Sequence, residues 1–268
     1  NHFWDAVEAR RHEVRAAERY DHDETTFGPI VKRLVGRYYL DYRPEYKREL
    51  ERIKAEITDP YRRRKAIEKL RDEIPPVTDF DVLFIPDRYQ TVSLIAPALA
   101  VEDVITNVCE ERDLERIKKT TGKNRLGLVR LLGTNTWNHP DLVERGGKYV
   151  RCAIFVDGFF AGSARKATAE FVHAFQKVHG EGRTPGYLEA TGYDSAAIVK
   201  AAITKHAPQT RAEMREALAH TDGFPGATGE IRFDAEGEVQ KKLFFLTVDR
   251  KEGIVEVDVE HWPAPPGG

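Results

Sequence analysis

Phe80-Asp81-Val82-Leu83-Phe84-Ile85-Pro86 is a compact apolar run bounded by an acidic residue and a proline, and its reading decides the fold of this chain. A strand with one face in water alternates polar and apolar residues. A run without alternation suits a strand covered on both faces, as in a parallel sheet sandwiched by helices. Two more such runs come later, Leu128-Val-Arg-Leu-Leu-Gly133 and Cys152-Ala-Ile-Phe-Val156. After the first run, Val92, Leu94, Ile95, Ala98 and Leu99 recur at helical spacing. A charged helix, Glu110 to Lys119, precedes the second run, and the turn Arg145-Gly-Gly-Lys148 precedes the third. Strand and helix in alternation make an α/β fold with a parallel sheet flanked by helices.

Upstream, Phe3, Trp4 and Val7 mark an apolar helix face, and no basic or apolar leader of a signal peptide is visible before it. Glu13 to Tyr20 alternates loosely and is read as a strand. Asp21 to Thr26 is a polar loop capping a helix that carries Ile30, Val31, Leu34 and Val35. Pro44 to Glu73 is dense in charge, with a narrow seam of Leu50, Ile53, Ile57, Ile67 and Leu70. Asp59 as a cap and Pro60 at the first helical position divide it into a helical hairpin. It serves either as a solvated excursion or as a partner-docking surface. Downstream, Ala164 to Val178 is amphipathic. Tyr193 to Ile203, rich in alanine and apolar residues, is expected to be well buried, and Arg211 to Ala219 forms another helix. Gly229 to Asp234 and Leu243 to Asp249, joined through Ala235-Glu-Gly237, are expected to form an antiparallel hairpin.

The chain has 268 residues, enough for one large domain or two lobes. Its 42 basic and 44 acidic side chains leave a net charge of −2, without the basic surplus that a nucleic-acid backbone demands. No stretch reaches the roughly 18 apolar residues of a membrane-spanning helix. Cys109 and Cys152 either pair in an oxidising compartment or remain two thiols packed as small hydrophobes. Thr121 to Gly127 lacks the spacing of a phosphate loop and reads as a surface turn. The histidines lack metal-ligand spacing, and no nucleophile elbow is present. No enzyme, cofactor or metal is expected.

Three motifs late in the chain bear a resemblance: Thr191-Gly-Tyr-Asp-Ser-Ala-Ala197, Thr210-Arg-Ala-Glu-Met-Arg-Glu-Ala-Leu218, and Phe224-Pro-Gly-Ala-Thr-Gly-Glu-Ile-Arg-Phe-Asp-Ala-Glu-Gly237. With Leu132-Gly-Thr-Asn-Thr-Trp137, Asp141-Leu-Val143 and Cys152-Ala-Ile-Phe-Val-Asp157, they resemble, in order and spacing, the second half of leucine/isoleucine/valine-type proteins of the type I periplasmic binding family. The resemblance implies flavodoxin-like lobes with a ligand in the cleft between them. Residues 1–158 are then the second lobe, with a helical insertion at 44–73. Residues 159–228 are helices of a partial first lobe, 229–262 a hinge hairpin and return strand, and 263–268 a tail. It further implies a periplasmic or otherwise extracytoplasmic protein for ABC-type uptake or sensing, lipid-anchored through a segment outside these residues. Its partners would be a small molecule, amino-acid-like or aromatic, and a membrane transporter. The alternative is an envelope interaction module, since some relatives of this fold are lipoproteins that activate penicillin-binding peptidoglycan synthases.

Open α/β sheets bind ligands at the carboxyl ends of their strands. The first run leads to Asp87, Arg88 and Tyr89, the second to Thr134, Asn135 and Trp137, and the third to Asp157, Gly158 and Phe159. These are the candidate ligand-binding residues; as the alternative, Asp87 and Asn135 cap local backbone. Amino-acid-binding relatives often place a carboxylate at the position matching Asn135 to hold the ligand's ammonium. Here that position is neutral, so the resemblance leaves an amino acid without its charge partner. A planar ring over Trp137 or Tyr89, or an anionic group on Arg88, fits the chemistry.

Overall fold

A computed structural model of the chain describes residues 2–122 and 127–260. The chain forms two compact units, one from residues up to 132 together with 139–153, the other from 133–138 and 154 onward.

The first unit begins with α1 (His2–Ala9) and α2 (Gly28–Leu34). The expected strand at Glu13 to Tyr20 is absent: these residues form irregular chain. Val14 and Tyr20 are the only strand-favouring side chains in that octet, too few to pack a pleated face. Side chains hold the segment instead, Arg15 to Asp79 at 2.6 Å, Arg33 to Glu18 at 2.9 Å and Tyr20 to Asp87 at 2.9 Å. The charged stretch folds as the expected hairpin, α3 (Pro44–Glu56) and α4 (Pro60–Glu73), and Asp59 accepts from the Arg62 amide at 2.7 Å. Its anchor is Tyr46, 1% exposed, whose hydroxyl accepts from Arg71.

Next come β1 (Val82–Phe84), α5 (Tyr89–Val101), β2 (Val104–Ile105), α6 (Glu111–Thr121), β3 (Gly127–Leu128), β4 (Arg130–Gly133) and α7 (Pro140–Gly146). β1 and β4 run parallel, Val82 opposite Arg130 and Phe84 opposite Leu132. The second apolar run serves two ladders, because Leu128 belongs to β3, which pairs in parallel with β2. Val92, Leu99, Leu131, Leu142 and Val150 are fully buried around these elements. Arg37, almost wholly enclosed, bridges Glu102 at 3.1 Å and Asp103 at 2.9 Å where α5 ends. Cys109 and Cys152 form a disulfide with Cα atoms 5.4 Å apart, which settles the choice the sequence left open. Residues 123–126 of the expected surface turn, and the tail at 263–268, lie outside the described residues.

The second unit contains β5 (Ile154–Asp157), α8 (Lys166–His179), α9 (Tyr187–His206), α10 (Arg211–Ala219), β6 (Phe224–Gly226), β7 (Gly229–Phe233), β8 (Val239–Lys241), β9 (Phe244–Asp249) and β10 (Gly253–Glu256). β9 lies antiparallel between β5 and β10, with Ile154 opposite Thr247 and Val255 also opposite Thr247. The expected hairpin is replaced: β7 turns back through residues 234–238 into β8, and β6 pairs on its other side. The reason is burial. Phe244, Leu246, Thr247 and Val248 are all enclosed, so β9 takes a two-sided position, whereas Val239-Gln-Lys241 tolerates an exposed one.

α9 departs from its expected burial as well. Ala190, Asp194, Ile198 and Ala202 line its enclosed face at four-residue intervals. Leu188, Gly192, Ser195, Ala196, Val199 and Ile203 share a different face, uncharged and exposed, with Leu188 at 80% and Ile203 at 51%. On the enclosed face the Asp194 carboxylate accepts from the amides of Ala227 (2.7 Å) and Thr228 (2.8 Å) and from the Thr228 hydroxyl (2.7 Å). It thereby fastens α9 to the turn between β6 and β7.

Candidate functional site

In the first unit the chain leaves β1 through Ile85, whose amide donates to the Leu132 carbonyl at 2.9 Å, and Pro86 then stops the ladder. Asp87 is held twice. Its Oδ1 accepts from the Arg88 amide at 2.6 Å and its Oδ2 from the Tyr20 hydroxyl at 2.9 Å. Burial first, and this hydrogen bond second, push the Tyr20 phenol well above its usual range. Arg88 is the exposed N-cap of α5, and Tyr89 is the first residue of that helix.

The Tyr89 ring stacks flat on His139, the centroids 4.2 Å apart and the planes 2° from parallel. His139 is the N-cap of α7, and its Nδ1 accepts from the Asp141 amide at 3.2 Å. Asp141 Oδ2 lies 3.5 Å from both the Tyr89 hydroxyl and Arg145 Nε. Sequence reasoning placed Asp87, Arg88 and Tyr89 together but missed Tyr20, His139 and Asp141 as their neighbours. His139-Pro140-Asp141 carries the signature of a helix start, yet only the packing of α5 on α7 brings that start against Tyr89.

In the second unit Thr134, Asn135 and Trp137 form a short 3-10 turn region behind Gly133. Thr134 and Thr136 share a hydrogen bond between hydroxyls at 2.9 Å, and Asn135 is exposed. Trp137 is fully buried. Its ring lies over Gly133, where a Cβ would collide with it, and tilts against Phe155 at 5.9 Å. That ring serves packing in this conformation. Asp157 closes the loop after β5, its Oδ1 accepting from the Gly158 amide at 2.6 Å and its Oδ2 from Asn138 at 2.8 Å. Phe159, 3% exposed, packs edge-on against Phe171 and Phe244. Tyr187, half exposed and unforeseen from the sequence, covers Gly158, where an added Cβ would sit 2.5 Å from the ring.

A shallow groove of this unit, along β10, passes Arg165, Leu243 and Glu256 and includes none of the candidate residues. Arg165 is already engaged there by Glu256 at 2.7 Å, by the Leu243 carbonyl at 3.1 Å and by the ring of Phe244. Among the described residues no group of three or more histidine, cysteine or acidic side chains has metal-binding geometry, and no helix is long and apolar enough to cross a membrane.

Comparison with known proteins agrees with this architecture. Residues 124–253 match the family model described as periplasmic binding protein. A solved structure from Rhodospirillum rubrum, assigned to branched-chain amino acid ABC transport, superposes with a TM-score of 0.62 at 21% identity, covering 95% of this chain and 55% of that one. The solute-binding protein of an ABC transporter from Rhodopseudomonas palustris HaA2, solved with p-hydroxybenzoic acid, gives 0.52 at 16%, covering 98% and 56%. Another from R. palustris, with 4-hydroxybenzoate, gives 0.52 at 14%, covering 96% and 54%. The chain spans about half the length of these proteins. No curated protein matches it. At these identities the likeness shows the fold, that of the type I periplasmic binding proteins.

Proposed function

We propose that this chain, with the fold of the type I periplasmic binding proteins and their sequence pattern over residues 124–253, holds a small solute outside the cytoplasm for an ABC-type transporter. The observation that carries the reading is the build of the loop after β1. There a carboxylate, a guanidinium and a stacked pair of rings stand at the carboxyl end of a parallel strand, where open α/β sheets bind ligands. Within the first unit Asp87, Arg88 and Tyr89 are the residues we read as meeting a solute, and within the second unit Thr134, Asn135 and Asp157. Trp137 and Phe159 act behind them by packing. Residues up to about 158 are read as one lobe and the remainder as part of the other. The Cys109–Cys152 bridge favours an oxidising compartment, the periplasm or its equivalent. Solute-binding relatives of this fold bind without chemical conversion of the ligand, and the residues assembled here call for none.

The test is thermal unfolding of the chain against a panel of amino acids, aromatic acids and other small metabolites. A ligand present at a hundred times its Kd adds about 2.7 kcal/mol of stability and raises the midpoint visibly. Asn135→Ala, at an exposed position, should abolish the rise while leaving the ligand-free midpoint within about 1 °C, and Tyr89→Ala should abolish it while also lowering the ligand-free midpoint through the lost stack on His139. A panel without a single stabilising solute would overturn the reading.

A further inference from the structure

We propose that the open edge of β10, in the second unit, is a docking site for an extended segment of another protein in which apolar residues alternate with lysine or arginine. The site is separate from the residues assigned to a solute, since none of them lines the groove along β10.

β10 lies at the margin of its sheet, and among the described residues β9 is the only strand it pairs with. The register sets Gly253 opposite Asp249 and Val255 opposite Thr247, and the Val257 amide donates to the Phe245 carbonyl at 2.8 Å. In an antiparallel ladder alternate residues exchange both backbone bonds with the partner strand. Gly253, Val255 and Val257 therefore engage theirs with β9, while the amides and carbonyls of Ile254 and Glu256 point away from it. That arrangement accepts an added strand. Phe245, Val255, Val257 and Val259, each half-buried, line the groove beside this edge. The two-residue spacing from Val255 to Val259 is the side-chain period of a strand, so every second side chain of an incoming strand meets an apolar surface.

Charge selects the partner. Glu252, Glu256, Asp258 and Glu260 line the groove against Arg165 and Lys242. Arg165 and Glu256 offset one another at 2.7 Å, so the carboxylates of Glu252, Asp258 and Glu260 outnumber the ammonium of Lys242. Two such edges brought together would set acid against acid, which keeps a second copy of this chain away. A strand with lysine or arginine at alternate positions brings the complementary charge and keeps its other face apolar for the valines.

Titration of the chain with a capped heptapeptide of alternating lysine and valine, read by fluorescence anisotropy at low salt, tests the assignment. The same peptide with glutamate for lysine should bind at least about tenfold more weakly, because it sets like charges together. With its backbone amides methylated, the lysine peptide keeps its side chains but loses the donors of the ladder, and should also weaken by about tenfold or more. Glu252→Gln combined with Glu260→Gln, both at exposed positions, should weaken the lysine peptide by about threefold or more with the unfolding midpoint unchanged. Hydrogen exchange should slow at the Ile254 and Glu256 amides when the peptide is bound. No binding of the lysine peptide overturns the proposal, as does equal binding of either control peptide, parent-like binding by the double variant, or protection confined to other amides. A dimer of the chain that slows the same two amides without peptide names a second copy as the occupant and overturns it too.

Discussion

Two single side chains carry more of this structure than their neighbours do, and each makes a measurable claim. Asp194 sits 3% exposed beneath the turn between β6 and β7 and accepts three hydrogen bonds, two of them from backbone amides. Asp194→Ala strands those amides in an enclosed site, and each such loss costs on the order of 1–3 kcal/mol. A urea titration should therefore show a loss of about 3 kcal/mol or more, with only part of it recovered by Asn, which accepts but carries no charge. Tyr20 speaks to pH. Its phenol titrates higher in the folded chain than in the unfolded one, where the ordinary value near 10 holds. Its contribution is complete below pH 10 and is lost as the pH rises further, because the unfolded chain gives up that proton first. Tyr20→Phe should flatten the alkaline fall of stability without steepening it anywhere.

Among the elements, β4 was readable in advance because its side chains show no alternation, the mark of a strand covered on both sides; β1 pairs with it in parallel, yet Val82 is exposed and Leu83 and Phe84 are only half-buried, so the same pattern there did not mean cover on both faces. The pairing of β9 was not readable. The residues at 234–238 signal a turn, but a turn alone does not say which of two downstream strands will answer it. The burial of Phe244, Leu246 and Val248 decides that, through partners far away in the chain. His139 escaped notice for the same cause, since its place beside Tyr89 exists only once α5 and α7 have packed. Asp87, Arg88 and Tyr89 were legible as a trio because position after a strand is a local property.

The disulfide joins the loop before α6 to the approach to β5 across 43 residues of sequence. Constraining a loop of that length in the unfolded chain contributes about 4 kcal/mol in the chain-entropy account, and 2–4 is typical of measurement. Dithiothreitol, or the Cys109→Ala/Cys152→Ala pair, should lower stability by that amount in a denaturant titration. Gly133→Ala should also destabilise, by about 1–3 kcal/mol, because the new methyl must displace the Trp137 ring.

At the scale of the whole molecule, the chain gathers into two compact units. Residues 133–138 group with the chain from Ile154 onward and are separated from their immediate neighbours in sequence. Contact order of that kind leaves no local trace in composition. The alanine-rich stretch of α9 misled differently, because its apolar content pointed to good burial and only one side is enclosed. The side from Leu188 to Ile203 has consequences at the bench. With a net charge of only −2, the chain has little long-range repulsion to keep copies apart. A greasy stripe four turns long then gives each collision something to stick to. Dilute samples should scatter light as monomers and concentrated ones as growing clusters, with a negative second virial coefficient that added salt worsens. Leu188→Glu combined with Ile203→Lys should turn that coefficient positive while leaving the melting curve in place.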